Sequence, residues 1–162
     1  MLREAMFYEK LENNDVRCHL CSHRCLIKNK KRGICAVREN RSGVLYSLVY
    51  GRAIAAAVDP IEKKPLFHFY PGSKIYSIAT VGCNFRCLNC QNYSISQMPK
   101  EENRIAGDPL PPERVVSEAK RLNCKSIAYT YTEPTIFYEY AYETAKTADK
   151  EDIKNVFVTN GY

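Results

Sequence analysis

Three cysteines at C-x3-C-x2-C spacing constrain this chain more than any other feature of its sequence. Cys83, Cys87 and Cys90 follow an apolar, strand-like run that ends at Val81. Cysteine thiolates hold iron-sulfur clusters, and a 4Fe-4S cluster has four irons, so three ligands leave one iron open to another molecule. Zinc is the alternative, but structural zinc sites close with four ligands, usually from paired C-x2-C elements. The triplet therefore favours a 4Fe-4S cluster with an open iron.

A second group of cysteines, near the N-terminus, makes a complete ligand set. Its members are Cys18, Cys21, Cys25 and Cys35. Gly33 permits a tight turn before the last of them, and His19 or His23 could replace a thiolate. The spacing predicts a small Cys-rich metal-binding segment, residues 1–42, with zinc and a second iron-sulfur cluster as open alternatives. Cys124 stands alone and is predicted to be a buried apolar residue.

Length, charge and hydropathy exclude several classes of protein. The 162 residues allow one core and a small module. A net charge of +6 is spread along the chain, which does not favour nucleic-acid binding. Residues 1–11 hold no secretory apolar region, and the most apolar run, residues 53–58, is too short to span a bilayer. We therefore expect a cytoplasmic protein with no membrane partner, whose clustered cysteines bind metal instead of forming disulfides.

Alternating strand and helix patterns in residues 75–162 predict an α/β fold with a parallel sheet. The predicted strands cover residues 75–81, 126–131 and 155–159, and the intervening helices lie near residues 111–122 and 136–148. Strands and helices that alternate in this way build parallel sheets with right-handed crossovers.

The preceding residues are predicted to hold a helix and a hairpin. Residues 3–11 carry a weak helical pattern. Residues 44–50 and 53–58 are rich in β-branched and aromatic residues and flank Gly51-Arg52, so they predict a β-hairpin or a bulged pair of strands.

Polar groups follow each of the three predicted parallel strands. The cysteine triplet follows the first strand, Glu133 the second, and Thr159-Asn160-Gly161 the third. Ligands bind at the carboxyl edge of parallel sheets and barrels. We therefore expect these groups to converge on one site.

The triplet, within residues 82–92, resembles the signature of radical S-adenosylmethionine (SAM) enzymes. The N-terminal cysteines and residues 58–72, which contain Asp-Pro-Ile-Glu-Lys-Lys-Pro, are similar to the radical SAM enzyme of the AmmeMemoRadiSam system, a relative of pyruvate formate-lyase activating enzyme. The resemblance implies that residues 43–162 form the first half of a partial (β/α)6 radical SAM barrel, truncated after the third strand. The Cys-rich segment and the β-hairpin would precede this half barrel. The chain is then expected to be a fragment, a truncated reading frame or half of a split enzyme.

The resemblance also implies an oxidoreductase chemistry and roles for single residues. Cys83, Cys87 and Cys90 would hold a 4Fe-4S cluster whose open iron chelates the methionine end of SAM. Reductive cleavage of SAM would start radical chemistry on a protein or small-molecule substrate, as in the activating enzymes. The residues implied to contact SAM are Asn89, Asn92, Thr132, Glu133 and Thr159. Glu133 would accept a hydrogen bond from the methionine ammonium group.

Partners and alternative functions complete these expectations. The resemblance implies an electron donor such as ferredoxin or flavodoxin, and it suggests AMMECR-type and Memo-type partner proteins. Two other functions stay open. An iron-sulfur electron carrier would hold clusters without responding to SAM, whereas a zinc-knuckle nucleic-acid-binding protein would bind in a strongly salt-dependent way. The sequence does not identify the substrate.

Overall fold

The computed structural model describes residues 2–162, which form twelve strands and three α-helices. In chain order the strands are β1 (Arg3–Glu4), β2 (Tyr8–Lys10), β3 (Val16–Cys18), β4 (Leu26–Ile27), β5 (Arg38–Arg41), β6 (Val44–Ser47), β7 (Arg52–Ala53), β8 (Ala55–Pro60), β9 (Lys74–Ala79), β10 (Asp108–Pro109), β11 (Cys124–Tyr129) and β12 (Lys154–Phe157). The helices are α1 (Tyr93–Glu101), α2 (Pro112–Arg121) and α3 (Tyr138–Asp149). None of the helices in this described range is long and apolar enough to cross a membrane.

The largest sheet has the order β12-β11-β9-β8. β9, β11 and β12 are parallel, and β8 pairs antiparallel with β9. α2 begins at Pro112, whose missing N–H costs nothing at a helix start. Helices α2 and α3 bury apolar side chains such as Val115 and Ala141 against sheet residues such as Ile78 and Ile127. The predicted α/β class, with three parallel strands and two helices, is therefore confirmed.

The sheet is open at both edges within residues 2–162. β8 and β12 each pair with one neighbour, and no described strand covers their outer sides. Residues 154–157 of β12 are accordingly less buried than residues 75–79 of β9. The partial barrel stays a prediction.

The N-terminal part contains two small antiparallel sheets, with the orders β1-β6-β5 and β2-β3-β4. The predicted helix over residues 3–11 is wrong, because these residues form β1 and β2. Phe7, between the two strands, has a φ of +56°, which no right-handed helix contains. Pairing with β6 and β3 thus overrides the weak helical pattern.

The predicted hairpin around Gly51-Arg52 is also wrong. β6 instead pairs with β5, and β8 pairs with β9. Ser42 and Gly43 connect β5 to β6 with φ angles of +53° and +83°. Positive φ at both residues of a two-residue loop matches the twist of antiparallel strands, so the tight turn forms here. The division between residues 1–42 and 43–162 stays a prediction, although β5 and β6 pair across it.

A buried ion pair fastens the N-terminal sheets to the core. Arg38 pairs with Glu139 of α3, and both side chains are almost fully buried. The Arg38 guanidinium also donates to the carbonyl oxygen of Met6 at 2.9 Å, and the Met6 N–H donates to Glu139 at 2.7 Å. The N-terminal part is therefore packed directly against the α/β unit.

Gly82 lies at the contact between these two parts of the molecule. Its φ is +94°, and a Cβ atom there would lie 2.4 Å from Val37 Cγ1 and 3.0 Å from the carbonyl oxygen of Cys35. Only glycine therefore fits both the backbone conformation and the packing.

We expect Gly82→Ala to lower the free energy of unfolding by about 3 kcal/mol, because backbone strain and overpacking add. Denaturant unfolding measures the change. Gly72→Ala is the matched control, since Gly72 also has a positive φ but an added Cβ would meet nothing within 4 Å. Equal losses in the two variants would show that the contact with Val37 carries no energy.

Candidate functional site

The three cysteines of the triplet line one cavity of about 410 Å³ at the carboxyl edge of the parallel strands. The loop that carries them follows β9, residues 130–133 follow β11, and residues 158–160 follow β12. The other residues implied to contact SAM that line this cavity are Asn92, Thr132, Glu133 and Thr159. Asn89 is exposed and does not line it. The fold thus brings together residues up to 76 positions apart in the chain, from Cys83 to Thr159.

The three thiols differ in exposure. Cys83 is buried, Cys90 is half-buried and Cys87 is exposed. The Phe85 N–H donates to Cys83 Sγ at 3.4 Å, and Cys90 Sγ lies 3.5 Å from Ser96 Oγ in α1. Burial raises the pKa of the Cys83 thiol, and the nearby Phe85 N–H and Lys100 cation oppose that rise.

Helix α1 holds the loop that carries Cys83, Cys87 and Cys90 through hydrogen bonds to its backbone. Gln97 Nε2 and Lys100 Nζ each donate to the Phe85 carbonyl oxygen at 3.1 Å. The sequence pattern does not predict this helix, because its buried residues include Ser96, Gln97 and Pro99 in place of an apolar stripe. Polar side chains that hold a loop give no periodic hydropathy signal.

The arrangement of the three cysteines suits a cluster. In a 4Fe-4S cluster each thiolate binds its own iron, so the sulfurs must surround a common space and do not need to meet at one point. Cys83, Cys87 and Cys90 border such a space together with Glu133 and Thr159.

Glu133 connects the ends of two strands. Its Oε1 accepts from Thr159 Oγ1 at 2.5 Å and from Thr135 Oγ1 at 2.8 Å, and its Oε2 accepts from the Asn160 N–H at 2.9 Å. Burial alone would raise the pKa of the Glu133 carboxyl, but these donors hold it below its ordinary value. Glu133 is therefore ionised at neutral pH, with acceptor capacity left on Oε2.

The sequence offered no sign of this internal role. The partners of Glu133, Thr159 and Asn160, lie 26 and 27 positions away in the chain, and the SAM contact that the resemblance implies for Glu133 stays a prediction. Only the pairing of β11 with β12 brings these groups together.

We expect Thr159→Val to raise the pKa of Glu133, because it removes one donor from the carboxylate. It should also lower the free energy of unfolding by about 1 kcal/mol at pH 7. A group with a depressed folded-state pKa stabilises above its ordinary pKa, about 4.3, and loses that effect as the pH falls. The stability difference should therefore shrink in acid.

An NMR titration of the Glu133 carboxyl carbon measures the shift. Thr147→Val is the matched control, since the Thr147 hydroxyl donates to the Glu143 carbonyl oxygen inside α3. An unchanged Glu133 pKa in Thr159→Val would contradict the assignment.

Thr132 and Asn92 also hold the loops in place. The Thr132 hydroxyl donates to the Thr80 carbonyl oxygen at 2.9 Å, joining the ends of β11 and β9. Asn92 Nδ2 donates to the Tyr131 carbonyl oxygen at 3.0 Å. Any contact of these two side chains with SAM stays a prediction.

Two lysines on the cavity wall were not singled out as site residues. Lys63 and Lys64 line the cavity, and both donate to the Asp59 carboxylate, at 2.7 and 2.8 Å. The same carboxylate accepts from Ser77 Oγ at 2.7 Å and from Tyr131 Oη at 2.6 Å. The sequence signal that could have found these lysines is the Asp-Pro-Ile-Glu-Lys-Lys-Pro run, in which Lys63 and Lys64 form ion pairs with Asp59.

The four N-terminal cysteines line a second, much smaller cavity of about 20 Å³. Cys18 and Cys35 are buried, and Cys21 and Cys25 are half-buried. Burial raises the pKa of the Cys35 thiol to about 11. Asn84, next to Cys83 in the chain, also lines this cavity, so the two cysteine groups lie on opposite sides of one loop.

The match to a family model identifies the class of protein. The model described as the Radical SAM superfamily matches residues 77–162, more than half of the chain. The chain therefore belongs to the radical SAM superfamily, whose members typically use a 4Fe-4S cluster and SAM.

Two curated relatives come from Methanocaldococcus jannaschii. The chain is 55% identical to the uncharacterized protein MJ0808 over 161 residues, which are 99% of this chain and 48% of that protein. It is 27% identical to the uncharacterized protein MJ0674 over 150 residues, which are 90% of this chain and 39% of that protein. The chain thus spans less than half the length of either relative. No solved structure matches it.

Proposed function

We propose that this chain carries the cluster-binding and SAM-binding part of a radical SAM enzyme. The observation that carries the proposal is the cavity of about 410 Å³, which the three cysteines share with Glu133 and Thr159. Cys83, Cys87 and Cys90 would hold the 4Fe-4S cluster. When bound, the cluster would pass one electron to SAM, whose sulfonium C–S bond breaks to give methionine and a deoxyadenosyl radical that takes hydrogen from a substrate.

The side chains of this chain would orient SAM and shield the reaction. The remaining acceptor capacity of Glu133 Oε2 suits the methionine ammonium, in a charge-assisted hydrogen bond. Thr159 and Asn92 would lie beside it, and Lys63 and Lys64 add positive charge on the wall near Tyr131. Asn89, which is exposed and does not line the cavity, is left out of this proposed set.

The finer assignment is an activating-enzyme-like member related to the AmmeMemoRadiSam system. It is supported by the Asp-Pro-Ile-Glu-Lys-Lys-Pro run, whose Lys63 and Lys64 line the cavity and donate to the Asp59 carboxylate behind them. We propose a cytoplasmic enzyme organised as residues 1–42 and 43–162, reduced by a ferredoxin or flavodoxin. Its substrate would be a protein or a small molecule, and AMMECR-type and Memo-type proteins are the proposed partners.

Product analysis tests the proposal. Anaerobically reconstituted protein, given dithionite as the one-electron donor, should convert SAM into equal amounts of methionine and 5′-deoxyadenosine. Cys124→Ala should behave in the same way, because Cys124 is buried in β11 outside the cavity. A protein that holds iron and sulfide but forms no deoxyadenosine would be an electron carrier instead.

A further inference from the structure

We infer that Cys18, Cys21, Cys25 and Cys35 bind a single zinc ion, and that this ion supports the loop that carries the cluster cysteines. The first part is independent of the proposed function. The second part deepens that function, because it gives the N-terminal segment a task at the same site.

The four cysteines lie on two tight turns, which is how small zinc sites are built. The Cys18 N–H donates to the Cys25 carbonyl oxygen at 2.9 Å, so the segment between them is closed like a hairpin. Cys35 lies on a second turn, where the Ala36 N–H donates to the Gly33 carbonyl oxygen at 2.8 Å. The turns are in contact, since a Cβ on Gly33 would lie 3.7 Å from Cys25 Sγ.

The size of the enclosed space favours one ion over a cluster. The cavity between the cysteines has a volume of about 20 Å³. A cavity needs roughly 10–15 Å³ to admit one water molecule, so there is room for one ion but not for four irons and four sulfides. The cavity of the triplet, about 410 Å³, is some twenty times larger.

The two nearby histidines have other partners at Nε2. His23 Nε2 donates to the Asn84 carbonyl oxygen at 2.9 Å, and His19 Nε2 lies 3.5 Å from Glu9 Oε1. The four cysteines by themselves complete a zinc ligand set, and four thiolates leave a net charge of two minus around a divalent ion. Arg38 contacts this site through a hydrogen-bond donor, because its Nη1 lies 3.7 Å from Cys18 Sγ while its charge is paired with Glu139.

Arg38 also has one hydrogen-bond donor that is not used. Its Nε is buried and has no hydrogen-bond partner in the described part of the chain. Since no three donors already converge on one point there, binding must draw the sulfurs inward. Cys21 and Cys25 are only half-buried, so their side chains are less tightly enclosed than those of Cys18 and Cys35.

The segment that carries the four N-terminal cysteines directly contacts the loop that carries Cys83. His23 binds the carbonyl oxygen of Asn84, and the backbone at Cys35 and the side chain of Val37 pack against Gly82. Cys83 lies between these two contact points. Coordination that fixes the turns of Cys21 and Cys35 would therefore fix the backbone on both sides of Cys83.

Metal analysis of a triplet-free variant tests the first part. Cys83→Ala/Cys87→Ala/Cys90→Ala cannot hold the cluster of the proposed function, so any bound metal reports on the N-terminal cysteines. We expect one zinc per chain, and on cobalt exchange the absorption bands of a tetrahedral thiolate site. Adding Cys35→Ser should abolish binding, whereas adding Cys124→Ser should not.

Iron with sulfide in this variant, or a metal-free protein with free thiols or disulfides, would overturn the inference. For the second part, zinc is removed from the same variant by a chelator and amide hydrogen exchange is followed. Exchange in residues 82–84 should speed up by about tenfold or more, while β11 stays protected. Unchanged exchange in that loop would show that the ion does not support it.

Discussion

Replacing Cys87 by alanine should abolish both the cluster and SAM cleavage. Two remaining thiolates cannot secure a cluster that three hold in the wild type, so iron and sulfide should fall to background. The loss of deoxyadenosine formation should exceed the roughly 10–100-fold change that follows loss of a supporting residue around a metal site. Iron analysis and product analysis measure the two effects.

The same variant should leave the fold intact. Cys87 is exposed, and its side chain contributes to no apolar core cluster in residues 2–162. Circular dichroism and the free energy of unfolding of the metal-free variant should match those of the metal-free wild type. If Cys87→Ala kept full iron content and product formation, the assignment of the triplet would be wrong.

Asp59→Asn should produce the largest loss of stability, about 3–5 kcal/mol. Asp59 is 5% exposed and accepts from Lys63, Lys64, Ser77 and Tyr131. The amide would remove the charge that compensates Lys64, whose side chain is 4% exposed. A buried cation left without its partner is much more costly than a broken surface pair.

The loss should depend on pH in a defined direction. Burial alone would raise the pKa of Asp59, but its four donors outweigh burial and hold the pKa well below its ordinary range. Its contribution is therefore complete above about pH 3.9, the ordinary value, and disappears as the pH falls further. The difference between wild type and Asp59→Asn should be constant near neutrality and shrink in strong acid.

Asp152→Asn is the matched control. It also replaces a carboxylate by an amide, but Asp152 forms its ion pair with Lys154 at the exposed surface. Its effect on denaturant unfolding should stay within about 0.5 kcal/mol. Equal effects at the two positions would mean that the Asp59 network does not stabilise the fold.

The strands and helices that could be predicted from sequence are those with a regular apolar pattern. Val115, Val116 and Ala119 recur on one helical face, and they are buried in α2 as that pattern requires. The run that became β9 is apolar on both faces, as expected of a strand inside a parallel sheet. The order of these elements then placed the cysteines, Glu133 and Thr159 at one edge.

Pairing between strands could not be predicted in the same way. Residues 44–47 and 55–60 do form strands, but their partners depend on the Ser42-Gly43 turn and on the approach of β9. Residues 3–10 became strands because β6 and β3 offered unpaired backbone groups to them. Such long-range choices leave little trace in a local pattern.

In the site, too, local sequence patterns could be predicted and long-range contacts could not. Cysteine spacing predicted the metal ligands, since thiolates at fixed intervals have few other uses in one loop. Internal hydrogen bonds determine the remaining arrangement of the site. Glu133 accepts from Thr159 and Asn160, and Asp59 accepts from two lysines and Tyr131. Those partners meet only after the sheet has formed.

Electron paramagnetic resonance of the reduced cluster, recorded before and after SAM is added, tests the central claim most directly. If Cys83, Cys87 and Cys90 leave one iron open, SAM should bind that iron and shift the signal. A signal that saturating SAM leaves unchanged would mean that the cluster is fully ligated by the protein, and the radical SAM function proposed for this chain would be contradicted.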